Sequence, residues 1–178
     1  MAITNNLKVN KNMTLAVNTA GNDHGENQFK PNATVAAIIV HQNQFLLVEE
    51  IEKGKKVFNQ PAGHLEANEN LISAIEREVL EETGLALSPN YVSGIYYFYR
   101  PDINLYYLRF CFVIELDEFL QGSPQDDEII ATHWLSFDEI KAKSAQLRST
   151  LVLECIEDYL AVLKNGKKIS LSSLKSNL

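Results

Sequence analysis

Cysteine is scarce: the 178-residue chain holds two, Cys111 and Cys155. Two cysteines exclude a disulfide-stapled scaffold and a cysteine-rich zinc module. Cys111 falls in a predicted strand and Cys155 on an apolar helix face. Both read as small buried hydrophobes, as expected in a reducing compartment. Long apolar runs are also missing, and none approaches the ~18 residues of a membrane helix. The MTLAV stretch near the start is too short, and too interrupted by lysine and asparagine, for a signal core. Cytoplasm is therefore the expected location. Positive charge is in deficit: 16 Lys and Arg face 23 Asp and Glu, for a net charge of −7. That balance argues against nucleic acid or an anionic membrane as partner. It leaves small anions open as substrates, because a bound metal reverses the local sign. Hydrophobic residues at 46% are ordinary for one globular domain with a substantial core.

Residues 1–28 are polar, asparagine-rich and aperiodic, and are expected to form a flexible tail. Met13 is an alternative start. A single domain is expected over 29–165, followed by a Lys/Ser-rich tail over 166–178. Residues 34–40 are β-branched and apolar, a central strand. A turn at 41–44 leads to a returning strand at 45–49, and another turn falls at 52–55. Residues 58–63 read as irregular. A helix is predicted over 69–83, with Asn68 as N-cap and Gly84 as a left-handed C-terminal glycine. Strands follow at 91–100, 105–116 and 129–135. Ser136 and Glu139 form a capping box that opens a short helix. An amphipathic helix covers 150–163. Strands in the middle, with one helix inserted and another at the end, define an α+β fold: a mixed sheet in an α/β/α sandwich.

The densest information lies in residues 63–85, GHLEANENLISAIEREVLEETGL. Six carboxylates (Glu66, Glu69, Glu76, Glu78, Glu81, Glu82) accompany a single arginine, Arg77. A solvated helix would mix its charges. On a helical wheel Leu71, Ile72, Ile75 and Val79 form the apolar stripe, and Glu78 and Glu82 fall on its edge. Glu81 lies at its border. Burying unpaired charge costs several kcal/mol, so these acids call for a counter-ion. The hard oxygen donors suit a divalent metal. One turn before Glu81, Arg77 can hold a carboxylate in a fixed rotamer.

This stretch resembles the Nudix box, GX5EX7REUXEEXGU with U aliphatic. Gly63, Glu69, Arg77-Glu78, Val79, Glu81-Glu82 and Gly84-Leu85 match every defined position. The resemblance implies a Nudix hydrolase: Glu78, Glu81 and Glu82 as Mg²⁺ ligands (Mn²⁺ as a substitute), with the Gly63 carbonyl joining them. It also implies that Glu69 and Arg77 brace the loop–helix–loop. One box carboxylate, Glu78 or Glu81, or an acid on a later loop, helps deprotonate the attacking water. Residues 29–163 resemble the bacterial NudJ-type phosphatases within this superfamily, through FKPNATVAAIIV, FLLVEE, FNQPAGHLEANE, LRFCFVIEL and LRSTLV. Such enzymes release orthophosphate from nucleoside di- and triphosphates and from thiamine-pathway diphosphates. Phe58 stands where many members carry Trp, and Ala62 replaces a common Gly.

Outside the box, Asp126-Asp127-Glu128 precedes a strand. Glu128, which adjoins the strand, is the expected late acid of the site. Arg100, Arg109 and Arg148 are candidate phosphate clamps, since the guanidinium fork suits phosphate oxygens. His64 directly follows the box glycine and is a candidate phosphate donor. Gln60 is a weaker candidate for substrate contact. His133 and Trp134 read as packing. One of Tyr96, Tyr97, Phe98 and Tyr99 can stack on a base. The expected chemistry is metal-assisted hydrolysis of a phosphoanhydride, rising toward alkaline pH. Two alternatives stay open: a Nudix enzyme that releases pyrophosphate, and a Nudix-like binding module without turnover. Expected partners are small diphosphates, with the chain as a monomer or weak homodimer.

Overall fold

The computed structural model describes residues 28–178. The expected tail at 1–28 thus lies almost wholly outside the described residues. Seven strands and three α-helices follow in the order β1 (Asn32–His41), β2 (Gln44–Glu52), β3 (Lys55–Asn59), β4 (Ala62–His64), α1 (Leu71–Thr83), β5 (Tyr91–Arg100), β6 (Leu105–Glu115), β7 (Ile129–Ser136), α2 (Phe137–Ala142) and α3 (Leu151–Asn165).

The strands form one mixed sheet in the order β3-β2-β1-β6-β5, with β4 on β1 and β7 on β2. β1 lies parallel to β6 along almost its whole length and antiparallel to β4 and to the near end of β2. Its run of β-branched and small residues is buried on both faces, as a central strand requires. Val35, Ala37 and Ile39 face α1, against Ala74, Ile75 and Val79. Ala36, Ile38 and Val40 face the other way, toward Cys155, Ile156 and Tyr159 of α3. The alternation of side chains along a strand thus supplies two cores from one strand. The expected sandwich forms, with α1 on one layer and α3 on the other.

The tight turns fall where the sequence places them. Gln42 and Asn43 (φ 47 and 63°) and Lys53 and Gly54 (φ 51 and 76°) adopt the left-handed pairs of two-residue hairpins. Residues 58–63 are more regular than expected, being divided between the end of β3 and the start of β4. The backbone pairs with β2 and β1 although its side-chain pattern is too short to announce a strand. Phe58 is 7% exposed and packs edge-on to His133 at 5.3 Å. Its carbonyl accepts from Arg148 N–H at 2.9 Å.

Helix α1 begins two residues later than expected. Its N-cap is Asn70, whose carboxamide oxygen accepts from the N–H groups of Ile72 and Ser73, both at 3.0 Å. Asn68 instead takes a left-handed turn conformation at φ 68°. At the other end Gly84 has φ 71°, and its N–H closes on the Leu80 carbonyl at 2.8 Å. A Cβ there would lie 2.0 Å from the Ser123 carbonyl oxygen. Gly84→Ala is therefore expected to cost about 2 kcal/mol or more, from backbone conformation and contact together. A urea midpoint near that of the wild type would show that the loop at Ser123 yields freely.

The segment after α3, expected as a tail, is tied down along part of its length. Ile169 exchanges both backbone hydrogen bonds with Val92 on β5, at 3.0 and 3.1 Å. Leu171 and Leu174 then pack on the α1-side core. Leu171 and Leu174, scattered among serines and lysines, form no pattern that reveals this packing in one dimension. Cys111 and Cys155 are free and buried, as expected. Among the described residues no helix is long and apolar enough to cross a membrane.

Candidate active site

The site grows from one helix and the strand end that faces it. Helix α1 buries Ala74, Ile75 and Val79 against the sheet, and this rotation carries Glu78 and Glu82 inward, each 8% exposed. Glu82 reaches the first residue of β4 and accepts the N–H of Ala62 at 2.9 Å. Glu78 lies against Gly63 so closely that a Cβ there would sit 2.0 Å from its Oε1. The glycine is required by space, since the carboxylate occupies the place of a side chain.

Arg77 organises this arrangement. Its Nε donates to Glu69 Oε2 at 3.1 Å and its Nη2 to Glu69 Oε1 at 2.9 Å. Nη1 donates to Glu78 Oε1 at 2.7 Å and to Glu81 Oε2 at 3.1 Å. Nη2 also donates to the His64 carbonyl at 3.0 Å. Glu69 completes the loop by accepting the Glu66 N–H at 2.6 Å. One guanidinium thus ties the loop before α1, the helix itself and β4 together. The Arg77 bond holds the Glu69 carboxyl below its usual range.

Burial pushes the Glu82 carboxyl up to about 9, and the nearby Glu78, Glu50 and Asp126 charges add to this against the Ala62 hydrogen bond. Burial also raises Glu78, opposed by Arg77. Without a cation Glu82 is therefore protonated at neutral pH. The folded state binds this proton more tightly than the unfolded chain, whose carboxyl keeps its ordinary value of 4.5. The associated stability is fully present below about pH 4.5 and is lost as pH rises through about 9. In chelator the protein is expected to melt at a lower temperature at pH 9 than at pH 6. Glu82→Gln should flatten that slope, and an unaltered slope in the variant would remove Glu82 as its source.

The donor set fits a hard divalent cation: two inward carboxylates, a third at the rim on Glu81, and backbone at Gly63. The cradle is open. Among the described residues no three acidic, histidine or cysteine side chains are drawn together closely enough to hold a metal ion by themselves. Arg77 holds Glu78 and Glu81 in the arrangement described.

The loop before β7 offers a second acid, Asp126, beside the expected Glu128. The loop before β7 is anchored to the end of α1, where Gln125 and Asp126 donate their N–H groups to the Glu81 carbonyl at 2.8 and 2.9 Å. That anchor brings Asp126 into the electrostatic neighbourhood of Glu82. Glu128 is exposed, and its N–H donates to Asp126 Oδ1 at 2.8 Å. The carbonyls at the helix end dictate the loop's path.

Beside Gly63 a cavity of about 120 Å³ is lined by Thr34, Asn59, Gly63, His64, Arg109 and Arg148, with Phe98, Arg100 and Tyr107 also on its wall. The structure therefore gathers His64 and all three candidate arginines at one place. Arg148 is bonded to Glu50. Arg100 is held by Asp102 and Glu52. A larger cavity of about 400 Å³ runs on past Phe98, Tyr99, Arg100, Arg148 and Ser149. Of the aromatic run only Phe98 and Tyr99 reach these cavities, while Tyr96 donates to Asp158 at 2.8 Å. Gln60 is fully buried, with neither side-chain polar atom hydrogen-bonded. His133 pairs with Glu49 at 2.8 Å, and Trp134 Nε1 donates to the Leu120 carbonyl at 3.0 Å; both are packing residues as expected. Sequence reasoning did not single out Thr34 or Glu50. Thr34 sits in a strand that reads as core, and Glu50 lies just past the returning strand expected at 45–49.

Comparison with known proteins agrees with this geometry. The NUDIX domain family model matches residues 30–154. Phosphatase NudJ of Shigella boydii is 44% identical over 131 residues, spanning 74% of this chain and 84% of that protein. Phosphatase NudJ of Escherichia coli K12 is 43% identical over the same shares. A NUDIX hydrolase structure from Nitrosomonas europaea superposes with a TM-score of 0.75 at 45% identity, covering 83% of this chain and 97% of that one. The chain belongs to the Nudix hydrolase family. It is a hydrolase of phosphorus anhydrides that resembles the NudJ phosphatases.

Proposed function

We propose that the enzyme is a Mg²⁺-dependent phosphohydrolase that releases orthophosphate from nucleoside di- and triphosphates and from thiamine-pathway diphosphates. Mn²⁺ serves as a substitute ion. One observation carries the reading: two buried carboxylates, Glu78 against Gly63 and Glu82 on the N–H of the adjacent Ala62, meet backbone that borders an arginine-lined cavity. A cation cradle and an anion pocket that share a wall suit a diphosphate chain. Similarity to proteins named phosphatase supports orthophosphate as the product.

Glu78, Glu81, Glu82 and the Gly63 carbonyl would hold the ion. When bound, it would supply positive charge that offsets the negative charge developing as the anhydride breaks. Glu69, Arg77 and Gly84 keep the loop and helix in place. Arg148, Arg109 and His64 orient the phosphates. Water attacks the terminal phosphorus, forming one P–O bond as the bridging P–O bond breaks. Its proton passes to a carboxylate, Glu78 or Glu81, and Asp126 now stands beside Glu128 as the loop acid. The products are orthophosphate and the shortened phosphate. The enzyme works in the cytoplasm as a monomer or weak homodimer, without nucleic acid or membrane partners.

A product assay with Mg²⁺ tests this on a nucleoside triphosphate, a nucleoside diphosphate, thiamine diphosphate and a nucleotide sugar. Orthophosphate is expected from the first three. Pyrophosphate as the dominant product, or turnover of the nucleotide sugar alone, would assign the enzyme to another kind of Nudix chemistry.

A further inference from the structure

Three arginines border the 120 Å³ cavity, yet two are already committed. Arg100 donates to Asp102 at 2.9 and 2.8 Å and to Glu52 at 3.5 Å, and Arg148 donates to Glu50. Arg109 differs. Its Nε and Nη1 are shut off from solvent and have no hydrogen-bond partner. Its guanidinium lies 5.7 Å from the centre of the Phe98 ring. Thr34 Oγ1 is likewise buried without a partner.

The sheet brings these orphans together. Thr34 is the register partner of Arg109 on β6 and of His64 on β4. Directly paired residues share a face, so Arg109, Thr34 and His64 form one row across three strands. A buried guanidinium and a buried hydroxyl without partners cost several kcal/mol if left so. A site rich in donors and carrying an unspent positive charge is made for an anion.

Size narrows the anion. This cavity measures about 120 Å³, against about 400 Å³ for the neighbour that shares Phe98, Arg100, Arg148 and Ser149 with it. We propose that the small cavity receives the terminal phosphoryl group of the substrate, read by Arg109 and Thr34, while the organic group extends into the larger groove. The proposal builds on the phosphoanhydride reading and adds a requirement to it. The substrate must end in an unesterified terminal phosphoryl group, because esterification removes one negative charge and one charged acceptor oxygen that Arg109 and Thr34 would otherwise bond. The organic group meets a wide groove and is weakly selected. Nucleotides and other pyrophosphorylated small molecules then share one entry rule, whereas nucleotide sugars and dinucleoside phosphates fail it.

The test compares kcat/KM for a nucleoside triphosphate and for the same nucleotide with a methyl ester on its terminal phosphate. The wild type is expected to favour the free terminus by about 100-fold, the scale of two or so hydrogen bonds to a charged group. Arg109→Gln should bring the ratio close to one. Thr34→Val, nearly isosteric and safe for folding, should lower it about 10-fold. Equal wild-type rates on both substrates, or variants that retain the wild-type ratio, would overturn the proposal. Calorimetric titration with inorganic phosphate is the second readout and does not depend on turnover. Saturable binding that Arg109→Gln abolishes is expected; its absence in the wild type would overturn the pocket. Binding without hydrolysis of either nucleotide would leave the pocket standing and sink the proposed activity, so the two failures are distinguishable.

Discussion

Glu82→Gln is expected to lower kcat by about 10³-fold or more while leaving the fold intact. The substitution keeps size and shape, and the remaining amide oxygen can still accept the Ala62 N–H that Glu82 accepts at 2.9 Å. What it removes is a charge. In the absence of a cation that charge is already suppressed, since burial raises the Glu82 carboxyl to about 9. Glutamine therefore mimics the protonated side chain, and melting in chelator at pH 7 should match the wild type. The difference appears on adding Mg²⁺. The wild type should gain thermal stability by binding linkage, and the variant should gain far less. Steady-state kinetics and melting with and without Mg²⁺ check both halves. An unfolded variant with unchanged activity per folded molecule would show that Glu82 serves the fold and not the ion.

Gly63→Ala is expected to cost about 10²-fold in activity with little loss of stability. The added methyl would lie 2.0 to 2.2 Å from the Glu78 carboxylate atoms. No left-handed conformation is involved at Gly63, so only the lost space matters. The carboxylate is the far end of a flexible side chain and can swing aside. Doing so breaks its 2.7 Å bond with Arg77 and withdraws it from the cradle. Since both substitutions act on one group, Gly63→Ala and Glu78→Gln should be strongly non-additive in kcat. Additive losses would mean that Gly63 and Glu78 contribute separately. Wild-type kcat in Gly63→Ala would place the reactive carboxylates elsewhere.

Much of the site is legible along the chain because it is local. Glu69, Arg77, Glu78, Glu81, Glu82 and Gly84 sit within a loop, a helix and its cap. Helical periodicity alone places Glu78 and Glu82 at the edge of the buried face, and both are buried. The helix start was less readable, because two asparagines compete for the cap. Only the backbone shows that Asn68 is spent on a left-handed turn and Asn70 caps the helix. The nearness of Asp126 to Glu82 was unreadable for a related reason, since a backbone hydrogen bond to the Glu81 carbonyl on α1 sets the path of that loop.

The sequence by itself determined the class of chemistry, the acidic helix and the central strand. These follow from periodicity and from charges too dense to coexist without a cation. Tertiary structure alone decided which of the three candidate arginines keeps unpartnered donors. Three arginines look equivalent in the sequence, but Asp102 and Glu52 take Arg100, Glu50 takes Arg148, and Arg109 is left without a hydrogen-bond partner for its buried Nε and Nη1. Tertiary structure also decided that Thr34, a plain strand residue by composition, stands between Arg109 and His64. The physical reason is that partner choice depends on strand register and burial. Both are set by contacts between residues far apart in the chain, which no local pattern records.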